Sequence, residues 1–488
     1  MPRLLKNLYE IHSMKPVPYS AHRLFRWLLV ISSLAMSACA TREPLSSLPQ
    51  AQEQFAQTYH QSWPGLVLHN ANPQELPTSN VFIKPLDLPT SLQLMLQYSP
   101  QVRKAIARLG IADASVLQAQ LIDNPHLALG ALRPEDGGRW QLETGISQPL
   151  LSFFTRPLQR QLAQQQLASA QLELQVSIHK LISTTTHNYY EALATQQEKA
   201  MYAQLLATAQ AQHDLAQGLY AAGNIPENRF LYYQKELNLV RLQQLDAVQK
   251  AESARLTLLQ QLGIASTSAI TLPNDLPLPP QDRFNRHQLL ADAMASRQDL
   301  QLIRLQQDQL QQRRQLLRKE SGWRDMKLGV NAEREFDGAV NIGPEIEFAL
   351  PLFNRAQGKQ AVLDAELAIA QANYDQTLLN IEREITQALM TLDATQQSLA
   401  LLQTTLPIAE KRLVLSLREV NFMLASPFEL LNDKREVINL HKQNIQILKT
   451  YWQARADLEL AIAKPLAIAL QSMPGTQHQH SHQEHHHD

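Results

Sequence analysis

Residues 326–350 read MKLGVNAEREFDGAVNIGPEIEFAL, and they decide between a rod and a pore. Successive side chains of a strand point to opposite faces, so parity sorts them. In 326–336 the even positions are Met326, Leu328, Val330, Ala332, Arg334 and Phe336, against Lys327, Gly329, Asn331, Glu333 and Glu335. Asp337-Gly338 is a short-hairpin signal. The return stretch sets Ile342, Pro344, Ile346, Phe348 and Leu350 against Asn341, Gly343, Glu345, Glu347 and Ala349. An apolar face and an acidic face, sustained over about 9–11 residues, form the pattern of a membrane-crossing β-strand. Pro344 lacks a ladder donor, which predicts a bulge or an edge position. Arg334 lies near the turn, where a membrane interface accommodates its charge.

A second hairpin lies about 200 residues earlier. Its turn is Glu135-Asp136-Gly137-Gly138, and Trp140, Leu142, Thr144 and Ile146 alternate with Arg139, Gln141, Glu143, Gly145 and Ser147. The duplication extends outward: SQPLLSFFTR (147–156) is echoed by ALPLFNR (349–355), and LASAQ (167–171) by LAIAQ (367–371). Leu231, Lys235 and Glu236 match Leu431, Arg435 and Glu436. Each copy predicts a helix, a β-hairpin, a very long helix, a break and a last helix. The first copy places these at 90–123, 127–151, 155–217, 221–228 and up to 262. The second places them at 286–321, 326–353, 355–422, 424–427 and 428–464. The long helices, roughly 63 and 68 residues, span about 95–100 Å. The two shorter helices of a copy, stacked end to end, match that length. Gly223 ends the first long helix and Asn224-Ile225-Pro226-Glu227 signals a restart; Ser426-Pro427-Phe428-Glu429 is a capping box.

The chain has 488 residues, 44 basic against 45 acidic side chains and one cysteine. A net charge of −1 offers no basic field for nucleic acid. One cysteine excludes an intrachain disulfide framework and a multi-cysteine metal site. Lys15, Arg23 and Arg26 precede the apolar run Trp27–Met36, the order of a secretory signal, and the run is too short to span a bilayer as a permanent helix. Ser37 and Ala38 then lead into Cys39, which resembles a bacterial lipobox with Met36 where Leu is usual. Met14 is an alternative start, and Ala40 is not the Asp of inner-membrane retention. The expected organisation is a signal (1–38), a lipid-anchored Pro-rich segment (39–89), a first repeat (90–264), a Pro-rich linker (265–285), a second repeat (286–464) and a histidine-rich tail (465–488). No other run is apolar enough for a spanning helix, so a membrane crossing requires a closed β-barrel. Four strands are too few to close one, and three copies supply twelve.

Phosphate-cradling glycine loops, nucleophile elbows and H-E-x-x-H motifs are absent from the sequence, which predicts no enzyme. The tail GTQHQHSHQEHHHD carries His478, His480, His482, His485, His486 and His487. Neutral imidazoles so spaced are candidate ligands for transition-metal ions, though no cofactor is required. His187 and His213 fall within helical stretches and are expected to make packing or interhelix contacts.

The chain after Cys39 resembles the TolC family of outer-membrane efflux ducts, in particular its lipoprotein, heavy-metal-efflux branch. The residues that carry the likeness are the hairpin exits at 149–151 and 351–353, Tyr98-Ser99-Pro100-Gln101-Val102, Arg297-Gln298-Asp299-Leu300 and Tyr220-x-x-Gly223. The second tip, Val420-Asn421-Phe422-Met423, departs from the family by lacking Tyr and Gly. The resemblance implies a mostly α fold with a small β part. A homotrimer would close a twelve-stranded outer-membrane barrel, continued by a long α-helical coiled-coil barrel across the periplasm. The implied partners are outer-membrane lipid, a periplasmic membrane-fusion adaptor and an inner-membrane pump of the RND type. The adaptor would dock at tips containing Tyr220, Gly223, Asn224, Pro226, Asn421, Ser426 and Pro427. Glu143, Glu333, Glu335, Glu345 and Glu347 would face the lumen and favour cations, partly offset by Arg139 and Lys327. The expected function is export of heavy-metal cations (Cu, Zn, Co or Ni). A duct for drugs or type I secretion, and a periplasmic coiled-coil lipoprotein without a pore, are the alternatives. Radiolabelled palmitate is expected to enter the wild-type protein and to be lost from a Cys39→Ser variant; equal labelling of both removes the anchor.

Overall fold

The computed structural model describes residues 46–59, 68 and 85–466, except 136, 281, 324, 325 and 351. Cys39, the signal ahead of it and the six tail histidines lie outside the described residues. Everything from Ser47 onward belongs to one unit. It opens with α1 (Leu48–Tyr59), α2 (Leu88–Tyr98) and α3 (Pro100–Gln118), followed by strands β1 (His126–Leu132) and β2 (Gln141–Pro149). Then come α4 (Leu151–Ala221) and α5 (Glu227–Leu262). The order recurs as α6 (Arg286–Ser296), α7 (Gln298–Trp323), β3 (Lys327–Arg334), β4 (Val340–Glu347), α8 (Gln357–Asn421) and α9 (Pro427–Ile462).

The opening helix of each copy, expected as one piece, is two. Ser99 has ψ 126 because Pro100 crowds the helical conformation of the residue before it. The second copy breaks at Arg297 (ψ 117) although Gln298 replaces the proline. There the Asp299 carboxylate takes the Leu300 N–H at 2.8 Å and pairs with Arg297 at 2.5 Å, holding the break with side chains instead. The long helices have 71 and 65 residues, roughly 107 and 98 Å. The first starts four residues earlier than expected, at Leu151 rather than Thr155, so that Pro157 lies in its second turn rather than its first.

Each long helix turns back through the same hydrogen bonds. Gly223, at φ 74, donates to Tyr220 O at 2.9 Å, and Asn224 donates to Leu219 O at 2.8 Å, a Schellman ending. Met423 takes the same left-handed role at φ 60, donating to Val420 O, while Leu424 donates to Glu419 O at 2.8 Å. The restart at α5 differs from its sequence signal. Pro226, not Asn224, occupies the cap position, and its side chain has nothing to donate or accept. Ser426 does cap α9, accepting from Phe428 N at 3.2 Å, with Pro427 in the first turn.

The strands form one antiparallel sheet in the order β1-β2-β3-β4. Pro344 pairs with Val330 on the outer strand β4 without a shift of register, so of the two expected devices the edge position is realised. Long helix α4 lies along α3 and α5, and α8 along α7 and α9; α7 and α9 also lie against α4. The helical layer thus runs from α3/α5 through α4 and α7/α9 to α8. Its interior is narrow and rich in small residues. Leu205, Ala209, Leu237, Val240 and Ile438 close it where α4, α5 and α9 meet, and Tyr190 stacks on Trp452 at 5.3 Å. The linker is tied down by Leu86 N to Thr271 O and by Trp452 Nε1 to Pro277 O, both 2.8 Å. Among the described residues no helix is long and apolar enough to cross a membrane.

Two glycines with left-handed backbones separate strain from crowding. A Cβ at Gly223 meets nothing within 4 Å, whereas one at Gly263 falls 2.4 Å from Tyr98 O and 2.9 Å from Ser99 N. Gly223→Ala is expected to cost about 1 kcal/mol. Gly263→Ala should cost roughly 2–4 kcal/mol, because backbone must move as well. Urea midpoints of the two variants check the order.

Candidate channel surface

The register places the two sequence faces on the two sides of the sheet. Directly paired residues share a side, so the pairs Leu127–Ile146, Leu129–Thr144, Ile146–Val330 and Leu328–Ile346 make one apolar side. It is uncovered: Leu127 is 67%, Leu129 76% and Ile342 72% exposed. The other side pairs Gly130 with Glu143, Glu143 with Glu333, Glu333 with Asn341, Gly329 with Glu345 and Lys327 with Glu347. An antiparallel sheet of a water-soluble protein packs one side on a core; among the described residues neither side has one.

Of the five acidic residues, Glu143, Glu333, Glu345 and Glu347 are brought onto this one side. Glu143 and Glu333 are directly opposed, an unfavourable arrangement in a sheet. Neighbouring amides soften it: Asn331 Nδ2 donates to Glu143 at 3.2 Å and Gln141 Nε2 donates to Glu333. Glu347 is paired with Lys327 at 2.9 Å. Glu335 lies just beyond β3 in the turn, where Asn341 Nδ2 donates to it at 2.7 Å. Arg139 is also at the turns, donating to Asp337 O at 3.1 Å, so it is spent joining the two hairpins.

The two tips come together at the far end of the long helices. Tyr233 stacks on Phe428 at 4.5 Å across the two helical hairpins, and Tyr220 stacks on Phe230 at 5.2 Å. Arg435 bridges to Gln212 at 2.9 Å and to Glu236 at 3.4 Å. Buried Asp433 pairs with Arg412 at 2.5 Å and accepts from Ser416. Asn421 closes α8, and the three residues after it, Phe422, Met423 and Leu424, are 76%, 94% and 79% exposed.

The outer helices carry exposed apolar stripes. On α8, Leu379, Met390, Leu401, Ile408 and Leu415 recur every 7 or 11 residues, near-multiples of the helical turn. On α5, at the opposite edge of the layer, Leu231, Leu242, Leu245 and Leu256 follow at spacings of 11, 3 and 11.

A buried polar cluster was not visible in the sequence. The Tyr59 hydroxyl lies 2.5 Å from His179 Nδ1, binding α1 to α4. Burial holds the His179 pKa down to about 4 and pushes the Tyr59 hydroxyl well up, so both are uncharged at neutral pH. Beside them Glu459 on α9 is pushed up to about 7 by burial, against the pull of Arg455 and of the Leu466 N–H. Arg455 itself is paired with Asp282 of the linker, and Lys464 lines the same cavity as Glu459. His187 meets Asp457 at 2.8 Å across α4 and α9, the expected interhelix contact, and His213 leans on Phe230 at 5.6 Å. Among the described residues no group of histidines and carboxylates is arranged to hold a metal ion.

A four-stranded sheet uncovered on both sides among the described residues, continued by helices of about 100 Å, is not the architecture of a water-soluble globular domain. The comparisons agree. Residues 91–264 match the family model described as outer membrane efflux protein. The outer membrane protein VceC of Vibrio cholerae has the same fold at a TM-score of 0.61 and 18% identity, covering 77% of this chain and 96% of that one. The Campylobacter jejuni CmeC outer membrane channel aligns at 0.64 and 12% identity, covering 82% and 94%. CusC, whose structures concern folding and transmembrane channel formation, aligns at 0.60 and 12%, covering 81% and 99%. No curated protein sequence matches the chain. Over residues 91–264 the chain is thus similar to the outer membrane efflux proteins, and over most of its length it shares the fold of solved outer membrane channels.

Glu459 gives a signed pH test. Its folded pKa, about 7, exceeds the ordinary 4.5, so the charged form is the one folding disfavours. The cost is present above about pH 7 and is relieved as pH falls toward 4.5. Glu459→Gln should therefore stabilise the protein at pH 8, on the order of 2 kcal/mol, and give no gain at pH 5. Unfolding midpoints of both proteins across this range measure it.

Proposed function

We propose that the chain is the outer-membrane duct of a tripartite efflux system, assembled as a homotrimer and exporting transition-metal cations. The observation that carries the reading is the sheet: one apolar side, one acidic side, and free outer edges at β1 and β4. Strands β4 and β1 of successive copies run antiparallel, so three copies close twelve strands, with the apolar side toward lipid and the acidic side inward. The helical layer supports the same closure. The α8 stripe and the α5 stripe lie at its two edges, where each meets the other in the next copy. The tips, with Tyr220, Gly223, Asn224 and Pro226 in one turn and Asn421, Ser426 and Pro427 in the other, would meet a periplasmic adaptor, which couples the duct to an inner-membrane pump of the RND type. Diacylated Cys39 would anchor each protomer in the outer membrane.

The cargo reading rests on charge. Glu143, Glu333, Glu335, Glu345 and Glu347 in three copies raise the cation concentration along the lumen. The tail imidazoles are neutral ligands above about pH 6.5 and would collect metal in the periplasm. Planar-bilayer recordings of the purified protein should give cation-selective conductance, and the joint variant Glu143→Gln/Glu333→Gln should reduce that selectivity. Absence of channels removes the duct; anion preference removes the cation reading alone. A deletion of 475–488 that leaves metal tolerance unchanged removes the tail from export.

A further inference from the structure

The sheet does not end cleanly at the helices. Leu150 N–H donates to Met326 O at 2.9 Å, extending the β2–β3 ladder by one step. By parity Leu150 and Met326 continue the apolar side, in line with Ile146 and Leu328. Immediately beyond lies a cleft of about 640 Å³ walled by Leu150, Leu151, Phe154 and Met326, with Arg318 and Lys319 of α7 on its rim. Its size falls within the roughly 300–1,000 Å³ of ligand sites. Phe154 is 72% exposed there. The nearby cations Arg314 and Lys327 are paired, to Asp364 at 3.3 Å and Glu347 at 2.9 Å. Arg318 and Lys319, by contrast, form no ion pair among the described residues.

Depth fixes what such a cleft meets. Strands β2 and β3 have nine and eight residues. At about 3.3 Å each and tilted as in a barrel, they span roughly the 25 Å of an outer-membrane apolar band. Their helical end therefore coincides with the headgroup level of the periplasmic leaflet. There an apolar trough continuous with the lipid-facing side meets two cations that form no ion pair among the described residues.

Resting on the membrane reading above, we propose that this cleft binds an anionic glycerophospholipid of the periplasmic leaflet. Its phosphate lies on Arg318 and Lys319, and an acyl chain runs along Leu150, Phe154 and Met326. Two cations facing one headgroup hold the lipid against exchange and fix the hinge between the sheet and the helices α4 and α7. A zwitterionic lipid, whose charge is internally balanced, gains much less from the same pair.

The test uses the full mature protein in phosphatidylcholine vesicles containing a minor fraction of phosphatidylglycerol, with retained lipid counted by native mass spectrometry after extraction. Expected are phosphatidylglycerol adducts in preference to phosphatidylcholine, about one per protomer. The double variant Arg318→Gln/Lys319→Gln should lower their retention roughly tenfold to thirtyfold while leaving vesicle flotation intact. Wild-type protein that floats but retains both lipids equally, or a double variant that retains phosphatidylglycerol as well as wild type does, overturns the site and leaves the membrane reading standing. Wild-type protein that does not float overturns both. Phosphatidylglycerol retained only when Cys39→Ser removes the anchor shows that the chain's own acyl group fills the cleft, which also overturns the proposal.

Discussion

Among the described residues nothing covers the apolar side of the four-stranded sheet, and the rest of the described structure is arranged around that fact. Leu127, Leu129, Leu142, Ile146, Leu328, Val330, Val340, Ile342 and Ile346 all stand exposed. At about 1.5–3 kcal/mol per side chain, covering them is worth on the order of 15–25 kcal/mol. That exceeds the roughly 5–15 kcal/mol by which a typical domain is stable. A sheet of this kind is not a water-facing structure. Its chain reaches its stable form only where something apolar covers one side while the other stays wet.

The helices answer to a milder version of the same constraint. They must be long, thin and wet on much of their surface, so they cannot rely on a deep core. Their contacts use small residues such as Ala209, Ala216, Ala388 and Ala454, which let helices approach closely, and buried hydroxyls that bond back to their own turn, as Thr185 does to Leu181 O at 2.7 Å. Where charge is buried it is paired, as in Asp433 with Arg412 and Arg455 with Asp282. Glu459 is the group this arrangement serves least well, and its raised pKa is the consequence.

The faces of the strands were legible because a strand reports its sides residue by residue, and register then only had to keep Glu143 opposite Glu333. The long helices were legible because nothing between Thr155 and Gln217 except Pro157 interrupts them. The bonds that hold two of the turns were not. The break at Arg297 depends on Asp299 and Glu384 instead of a proline, and Glu384 lies on α8, 87 positions away. The second tip lacks the glycine that marks such turns, yet Met423 adopts the left-handed backbone because the two bonds to Val420 O and Glu419 O offset a cost of about 1–2 kcal/mol. The Tyr59–His179–Glu459 cluster joins residues 120 and more apart, and no spacing rule connects them. Charge, by contrast, was readable as to face but not as to partner: Lys327 and Glu347 compensate each other, whereas Arg139 is committed to a carbonyl.

That last distinction bears on how the acidic side works. Taken by count, two cations offset five carboxylates along the strands. Taken by position, the offset is uneven. Lys327 lies at the helical end and neutralises Glu347 there. Arg139 lies at the turns, with its guanidinium donating to Asp337 O rather than to Glu143, Glu333 or Glu335. The opposed pair Glu143 and Glu333 keeps only neutral amides, Asn331 and Gln141, as its donors. A sheet selected for stability alone would place a lysine across from one of them, since directly opposed like charges cost energy in exchange for nothing structural. Local rules are broken in this way chiefly where a function needs the offending groups. The uncompensated negative charge therefore concentrates in the turn-side half of the sheet, away from the helices. In the barrel proposed above, that placement would put the strongest attraction for cations at the end remote from the helices.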